Sequence, residues 1–430
     1  MSRKGTAFPH CGAAKPRMLP GHGFSVMLGS SNNFDVIIAG AGPAGSSAAI
    51  HLATGGARVL LVEQKRFPRE KLCGEFISPE CLNHFERLGV SDRMLAAGGE
   101  CLTQTVFYAR DGRSVDVPSN WFDNRNSALG LSRAEMDQRL LERARMVGVS
   151  VLEETQASGL ISEEGRIRGV RLKSQGVARE STASVVIDAT GRTRALDHRL
   201  DALRKGAQTK KSHPRRASLV AFKAHLRDAQ PLPGTCEIYF YPGGYGGLSG
   251  IENGLSNLCF IASAKDVRAC QADPERAMRE LVSQNSRAST SLAHARVEGQ
   301  WLAVALESFG RREPVPADGL LMIGDAAAFI DPFTGSGMLM ALEGGALAAG
   351  LVLRHLRELR KGASGSGLAR DYRRLYRQQF GSRLRICAML RRAAFVPSLA
   401  GVAIRLFGAS EHVRRRLAHA TRARKVEDEG

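Results

Sequence analysis

Hydrophobic and polar positions along the chain follow two rhythms. Short apolar runs closed by glycine predict buried parallel strands. Phe34–Ala39 runs into Gly40, Ala57–Val62 finishes on Glu63, and the run opened by Gly319 ends in Gly324-Asp325. Ser46–Thr54 is rich in small residues and predicts a helix stopped by Gly55-Gly56, and Met338–Leu353 predicts a longer helix of the same kind. From about residue 205 to 305 the rhythm changes. Ser218–His225, Glu237–Tyr241 and Asn257–Ser263 are short strand-like runs separated by turns, which suits an antiparallel sheet. Residues 361–367 have the composition of a flexible linker. Beyond them Leu368–Leu390 is helical with arginines throughout, and Ala393–Phe407 is mostly apolar. The longest apolar run there, Ala393–Ile404, contains Pro397 and is shorter than the ~20 residues that span a bilayer.

The first strand, turn and helix carry a specific chemistry. Gly40-Ala-Gly42-Pro-Ala44-Gly45 joins them. Gly40 permits the tight turn, Gly42 lets the backbone approach a pyrophosphate, and Gly45 lets the helix pack closely on the sheet. The helix N-terminus offers free N–H groups and a positive dipole end to phosphates. Glu63, followed by Gln64 at the tip of the second strand, is placed to accept hydrogen bonds from ribose hydroxyls. Strand, glycines, helix, strand and terminal acid occur in order within ~30 residues, the context a dinucleotide site requires. Far downstream, Asp325 at a strand end and the turn Gly335-Ser336-Gly337 at a helix start form a second site for a polyol and for developing negative charge.

Composition narrows the class. With 430 residues, 43% apolar and 24% charged, the chain can bury a large core and hold two domains or one large interrupted domain. Net charge is +19, and from Leu351 onward 19 Lys/Arg face 6 Asp/Glu. No nucleic-acid module accompanies this basic tail. The eight cysteines show no Cys-x-x-Cys pair and the histidines no metal-binding spacing, so no metal site is expected and a reducing cytosol is. Residues 1–33 hold four basic and no acidic residues and no signal-type apolar core. They read as a disordered extension or as a start upstream of Met27, with a transit peptide as the alternative.

At these motifs the sequence resembles the flavin-binding fold of aromatic hydroxylases, squalene-epoxidase-like enzymes and geranylgeranyl reductases. Two further segments share the resemblance. Ala183–Asp188-Ala-Thr-Gly191 is similar to a strand and turn near the cofactor, and Gly130-Leu-Ser-Arg133 to the start of a helix whose arginine contacts FAD. Where many hydroxylases have Asp-Gly, this chain has Asp188-Ala-Thr-Gly. The resemblance implies an α/β fold: a Rossmann-type FAD-binding domain with an inserted antiparallel β-sheet substrate domain and a basic helical C-terminal tail. It implies FAD-domain parts at 34–102, 129–204 and 306–360, substrate-domain parts at 103–128 and 205–305, and the tail at 361–430. It also implies FAD as cofactor, with the ribityl chain at Asp325. NAD(P)H would dock transiently, or a reductase partner would supply electrons, since no second strand–GxGxxG–helix unit occurs.

Cys73-Gly-Glu with the following Ser78-Pro79 looks most like the geranylgeranyl reductase branch, which implies a catalytic-site role for Cys73 beside the flavin. The expected reaction is reduction of a carbon–carbon double bond in a prenyl, quinone or polyketide-like substrate. The alternatives are an FAD-dependent monooxygenase using NAD(P)H and O₂, and a non-catalytic flavin-binding module. The halogenase signature Trp-x-Trp-x-Ile-Pro is excluded, because the only tryptophans are Trp121 and Trp301. Tyr239, Tyr241 and Tyr245 form either an aromatic substrate wall beside the flavin or a sheet core. The basic tail either contacts an anionic membrane surface or caps the FAD domain in solvent, so the expected location is cytoplasmic, peripheral to the inner face of a membrane in the first case.

Overall fold

The structure is a computed structural model that describes residues 33–122, 127–205, 217–306, 309–331, 335–394 and 410–420. The expected extension 1–33 therefore falls outside the described residues except for its last position, and so does most of the apolar segment 393–407.

Among the described residues there are two seven-stranded sheets, a three-stranded sheet of Phe76–Ile77, Ala128–Gly130 and Glu100–Leu102, a two-stranded ribbon of Gly310–Arg311 and Ala328–Phe329, and a set of helices. In chain order the elements are β1 (Asn33–Ala39), α1 (Pro43–Thr54), β2 (Val59–Val62), α2 (Pro79–Leu88), β3 (Gln104–Tyr108) and β4 (Ser114–Pro118). Then come α3 (Arg133–Met146), β5 (Ser150–Leu152), β6 (Gln156–Glu163), β7 (Arg166–Ser174), β8 (Val177–Asp188), β9 (Leu219–Arg227), β10 (Thr235–Tyr241) and β11 (Gly244–Gly250). β12 (Ser256–Ser263), β13 (Arg296–Leu306), β14 (Leu320–Met322), α4 (Gly337–Arg360), α5 (Ser366–Ala394) and α6 (Glu411–Ala420) are the remaining elements that position the site.

The first sheet runs β5-β2-β1-β8-β7-β6, with β14 beside β8. Its β5, β2, β1, β8 and β14 pair in parallel, whereas β7 and β6 are antiparallel additions. Val36–Ala39 and Val59–Val62 are buried throughout, as strands covered on both faces must be. On one face α1 lies against α4. The contact is close because the facing residues are small: a Cβ on Gly345 would sit 2.5 Å from the Ala44 carbonyl oxygen, and Ser47 Oγ donates to the Leu342 carbonyl at 3.1 Å. α4 is long and apolar enough to cross a bilayer, but 61% of its apolar window is buried in this fold, and it serves as the core helix.

The second sheet, β13-β9-β12-β11-β10-β3-β4, is antiparallel except where β10 and β3 run parallel. Strands 104–118 thus join strands from 219–306 in one sheet. One face packs on the short helices of 264–291, and the other faces the first sheet's loops.

The basic C-terminal helix is amphipathic. Tyr372, Tyr376 and Phe380, one turn apart, are buried; Tyr372 donates to the Met322 carbonyl at 2.8 Å, and Arg383 pairs with buried Glu343 at 2.8 Å. Its arginines Arg370, Arg374 and Arg377 are exposed. The stretch expected as a flexible linker is a short connection instead, in which Arg166 donates to the Ala363 carbonyl at 2.7 Å and Gly365 is buried.

Candidate functional site

One large cavity, about 630 Å³, lies between the two sheets. At one end it is walled by the β1–α1 turn. Gly40 has φ +104°, and a Cβ there would lie 2.4 Å from the Ala189 carbonyl oxygen. A Cβ on Gly45 would be 1.9 Å from the Gly40 carbonyl, so Gly45 sets the helix against the turn. Gly42 differs. Among the described residues, its chain neighbours aside, the groups within 4 Å of its notional Cβ are the guanidinium tips of Arg133 and Arg69, at 3.8 and 3.9 Å. The space above Gly42 is therefore open, faced by two cations and by the first-turn N–H groups of α1, and it fits a pyrophosphate. Ala44 and Gln64 also line this end.

Glu63 is held by the backbone. Its carboxylate accepts from the Ala41 and Lys65 amides, each at 3.0 Å, which fixes the oxygens at the cavity wall with lone pairs to spare. Arg133 opens α3 after the cap Ser132, whose Oγ accepts from the Glu135 amide at 3.1 Å. Its guanidinium grips Asp137 at 2.9 and 2.7 Å, and Arg69 reaches the same carboxylate at 3.1 Å and Glu63 at 3.6 Å. Burial works against the Arg133 charge, yet the Asp137 carboxylate and Cys73 together outweigh it and hold the guanidinium well above its ordinary pKa.

Further along lie Gly191 (φ +72°), Gly324 (φ +57°), Asp325, Gly335 and Gly337. Burial raises the pKa of Asp325, against the opposing pull of Arg192, Arg133 and Lys71. Ser336 is buried behind the wall at the start of α4 and does not line the cavity. Asp188, expected as a cofactor contact, stands behind the cavity wall with its acceptor positions taken by the protein. Its carboxylate accepts from the Thr190 amide and hydroxyl at 2.9 and 2.7 Å and from the Leu196 and Asp197 amides at 3.1 and 3.3 Å. It shapes the Ala189–Arg192 turn, which lines the cavity, and is itself fully buried outside the lining.

Cys73 lines the middle of the cavity. Its Sγ accepts from the Glu75 amide at 3.4 Å, and its carbonyl accepts from Asn257 Nδ2 at 3.1 Å, which ties the loop to β12. Two residues on, Glu75 sits at φ +54° and is fully buried. It accepts from the Arg133 amide at 2.8 Å and from Lys223 Nζ at 2.7 Å, and His225 Nε2 lies 2.7 Å from its other oxygen. Burial pushes the Glu75 carboxyl up, but the His225 hydrogen bond and the Lys223 charge hold it below its ordinary range. Glu70, Glu75 and His225 bring potential metal ligands within 4.8 Å of one another. The Lys223 ammonium donates to both carboxylates, so the protein's own cation satisfies the cluster.

The far arm of the cavity is apolar: Phe107, Val115, Phe122, Ile238, Phe240 and Leu306 are among its lining. Here the two readings of the tyrosines divide: Tyr239 and Tyr241 belong to the sheet core, and Tyr245 to the cavity wall. Successive strand residues point to opposite faces. On β10, Ile238 and Phe240 face the cavity, while Tyr239 and Tyr241 point into the core beneath the sheet, where Tyr239 donates to Glu237 and Tyr241 to the Ile261 carbonyl at 2.9 Å. Tyr245 lines the cavity and bonds Asp331. Helix α6 closes this arm: Arg414 and Ala418 line it, and Arg414 lies over the Trp121 ring at 5.9 Å.

Sequence reasoning missed Arg69, Lys71 and Arg192, which lie in loops without periodicity. Lys223 and His225 did leave a signal, as polar residues at alternate positions of an apolar strand, on the same face as Ala221.

Comparison with known proteins places this architecture. The family described as "FAD binding domain" matches residues 33–374. The chain is similar to digeranylgeranylglycerophospholipid reductase of Methanosarcina mazei, 27% identical over 326 residues that cover 74% of each chain. It is also similar to menaquinone reductase of Mycolicibacterium smegmatis, 29% identical over 335 residues that cover 74% of this chain and 76% of that one. Among solved structures, a geranylgeranyl bacteriochlorophyll reductase-like protein from Thermoplasma acidophilum aligns with a TM-score of 0.67 at 21% identity, over 86% of this chain and 88% of that one. A flavin-dependent brominase aligns with a TM-score of 0.73 at 21% identity, over 90% and 94%. At these identities the two structures share the fold.

Proposed function

This chain belongs to the FAD binding domain family and is an FAD-dependent oxidoreductase, and from that premise we propose that it reduces a carbon–carbon double bond in a prenyl chain carried by a quinone or a lipid. The observation that carries this reading is the continuity of the cavity, which runs from the dinucleotide-binding turns past Cys73 into an arm walled by Phe107, Ile238, Phe240 and Leu306. Such an arm takes an extended hydrocarbon in the way apolar clefts take apolar ligands.

The chain's own residues have separable tasks in this proposal. Glu63 receives ribose hydroxyls, the α1 N-terminus with Arg69 and Arg133 receives the pyrophosphate, and Asp325 receives the ribityl chain. The bound flavin supplies the hydride chemistry. Glu75, tied to Lys223 and His225, fixes the loop that carries Cys73, so the thiol sits at the junction between the cofactor end and the apolar arm. The arm excludes water around the reacting double bond. NAD(P)H docking transiently, or a partner reductase, supplies the electrons. The exposed arginines of α5 and Arg415 and Arg416 of α6 form the surface we assign to an anionic membrane, from which a lipid substrate would enter.

The test is direct. The FAD-loaded protein, reduced anaerobically, is mixed with menaquinone or with a digeranylgeranylglycerol phospholipid, and the product is weighed by mass spectrometry. A gain of two hydrogens that remains in the prenyl chain after any quinol has been reoxidised to quinone, with flavin reoxidation, supports the proposal. A product that gains oxygen only when air is admitted replaces it with the monooxygenase reading.

A further inference from the structure

The cations around the cavity are not equivalent. At the Gly42 end, Arg133 is bound bidentately by Asp137, and Arg69 bridges Asp137 and Glu63. That end is internally neutralised before any ligand arrives. Arg192 stands apart. Among the described residues it has no hydrogen-bond acceptor and no carboxylate within salt-bridge distance, although it is partly buried in the cavity wall. Its guanidinium is held by a ring instead, 5.2 Å from the centroid of Phe329, which stacks on Phe309 at 4.8 Å. Phe329 belongs to a two-stranded ribbon in which Ala328–Phe329 pairs with Gly310–Arg311, so backbone pairing places the ring under the guanidinium. Asp325 attracts Arg192 electrostatically without a hydrogen bond or ion pair between them. Lys71, also on the wall, feels the surplus: its pKa is lowered by burial and by the like charges of Arg69, Arg133 and Arg192.

An unpaired cation withdrawn from water costs solvation free energy. Preorganised charge of this kind is useful where opposite charge develops during a reaction. The pyrophosphate carries the same charge whether the flavin is oxidised or reduced, so a cation serving it stabilises both states equally. The isoalloxazine ring is different. Oxidised FAD that takes up two electrons and one proton from a hydride donor becomes an anion, and a cation near the ring binds that form more tightly than the neutral one.

We propose that Arg192 is the electrostatic partner of the negative charge gained by the flavin ring, and that it sets the reduction potential without setting the affinity for oxidised FAD. This rests on the FAD-binding reading of the cavity but not on the identity of the substrate, and no substrate enters its test. By linkage, the ratio by which Arg192 favours reduced over oxidised FAD is the factor by which it favours reduction.

The experiment compares wild type with Arg192→Met, Arg192→Gln and Arg192→Lys as FAD-loaded proteins. The midpoint potential is read against an indicator dye during slow enzymatic reduction under nitrogen, and the Kd of oxidised FAD by titration of the apoprotein. We expect both neutral variants to lose about tenfold in the two-electron reduction constant, a fall of about 30 mV. Arg192→Lys should recover most of it, and the Kd of oxidised FAD should change by less than about twofold in all three. An unchanged potential in both neutral variants overturns the proposal. So does a potential that stays put while the Kd rises tenfold, which would assign Arg192 to the phosphates. A wild-type protein that cannot be loaded with FAD overturns the cofactor reading itself, and that outcome is visible before any variant is made.

Discussion

The two ends of the cavity are built by opposite strategies. The cofactor end is made of short contiguous turns. Gly40 to Gly45, Glu63-Gln64 and Gly324-Asp325 each bring several contacts from a few neighbouring residues at the tips of parallel strands. The apolar end takes single residues from distant strands, Phe107 on β3, Ile238 and Phe240 on β10, Leu306 on β13, and only pairing of those strands makes them a wall. Cofactor recognition is therefore concentrated in segments that each carry their own geometry, whereas the substrate surface is a property of sheet register. The seam between the ends is Lys223, which reaches from β9 to Glu75 and Glu70 on the cofactor side.

That seam should be the most sensitive point. Lys223 and Glu75 are both fully buried, and removing Lys223 leaves the interior Glu75 carboxylate with the Arg133 amide and His225 but without its ammonium partner. Lys223→Met is expected to destabilise the fold by about 3–5 kcal/mol, read as the urea midpoint of the apoprotein. The double change Lys223→Met with Glu75→Gln should recover part of that loss. Equal midpoints for wild type and Lys223→Met would mean that the two ends are not coupled through this pair.

Next comes a contrast within the cofactor end. Among the described residues beyond its chain neighbours, a Cβ at Gly42 meets the tips of two flexible arginines, so Gly42→Val should fold with a normal melting temperature and bind FAD at least about 100-fold more weakly, about 2.7 kcal/mol. Gly45→Val collides with backbone at 1.9 Å and should lose folding and flavin together. If the two variants behave alike, the open space above Gly42 is not the pyrophosphate seat.

A third effect concerns α5, which covers the cofactor end from behind. His84 on α2 has a buried Nδ1 with no acceptor, and burial first, then the charges of Arg87, His51 and Arg383, lower its pKa to about 4. The unfolded chain takes up a proton near pH 6.5. Between pH 6.5 and about 4 it therefore binds more protons at this site than the folded chain, and stability falls as pH falls, by up to about 3 kcal/mol. His84→Leu should flatten that slope while leaving stability at pH 8 nearly unchanged. An equally steep slope in the variant would assign the acid sensitivity to other groups, His51 among them.

The same contrast explains what could be read from the sequence. The β1–α1–β2 unit, Glu63 and the Gly324-Asp325 turn were legible because each is local: glycine spacing, helix signature and strand-end acid are neighbours in the chain. Asp188 lies in such a motif too, but residue type does not reveal that its four acceptor positions are already filled by the turn it closes. Arg69 and Arg192 were invisible because loops have no period. The amphipathic character of α5 was obscured by its arginines, although Tyr372, Tyr376 and Phe380 recur at the spacing of a buried stripe.

The smallest effect tests register at the apolar end, where two adjacent aromatics on β10 point in opposite directions. Phe240 lines the cavity and Tyr239 lies beneath the sheet with its hydroxyl on Glu237. Phe240→Trp extends into the arm and should raise KM for a prenylated quinone by about tenfold, about 1.4 kcal/mol, without changing FAD affinity. Tyr239→Phe removes a buried donor from Glu237, which keeps Arg287 at 2.8 Å and Ser291 at 3.0 Å. That change should lower stability by about 1–2 kcal/mol and leave KM alone. The pair of measurements is sharper than either one. If both substitutions alter KM, the sheet face does not select the substrate. If only Tyr239→Phe does, β10 is shifted by one residue, and the wall belongs to the tyrosines.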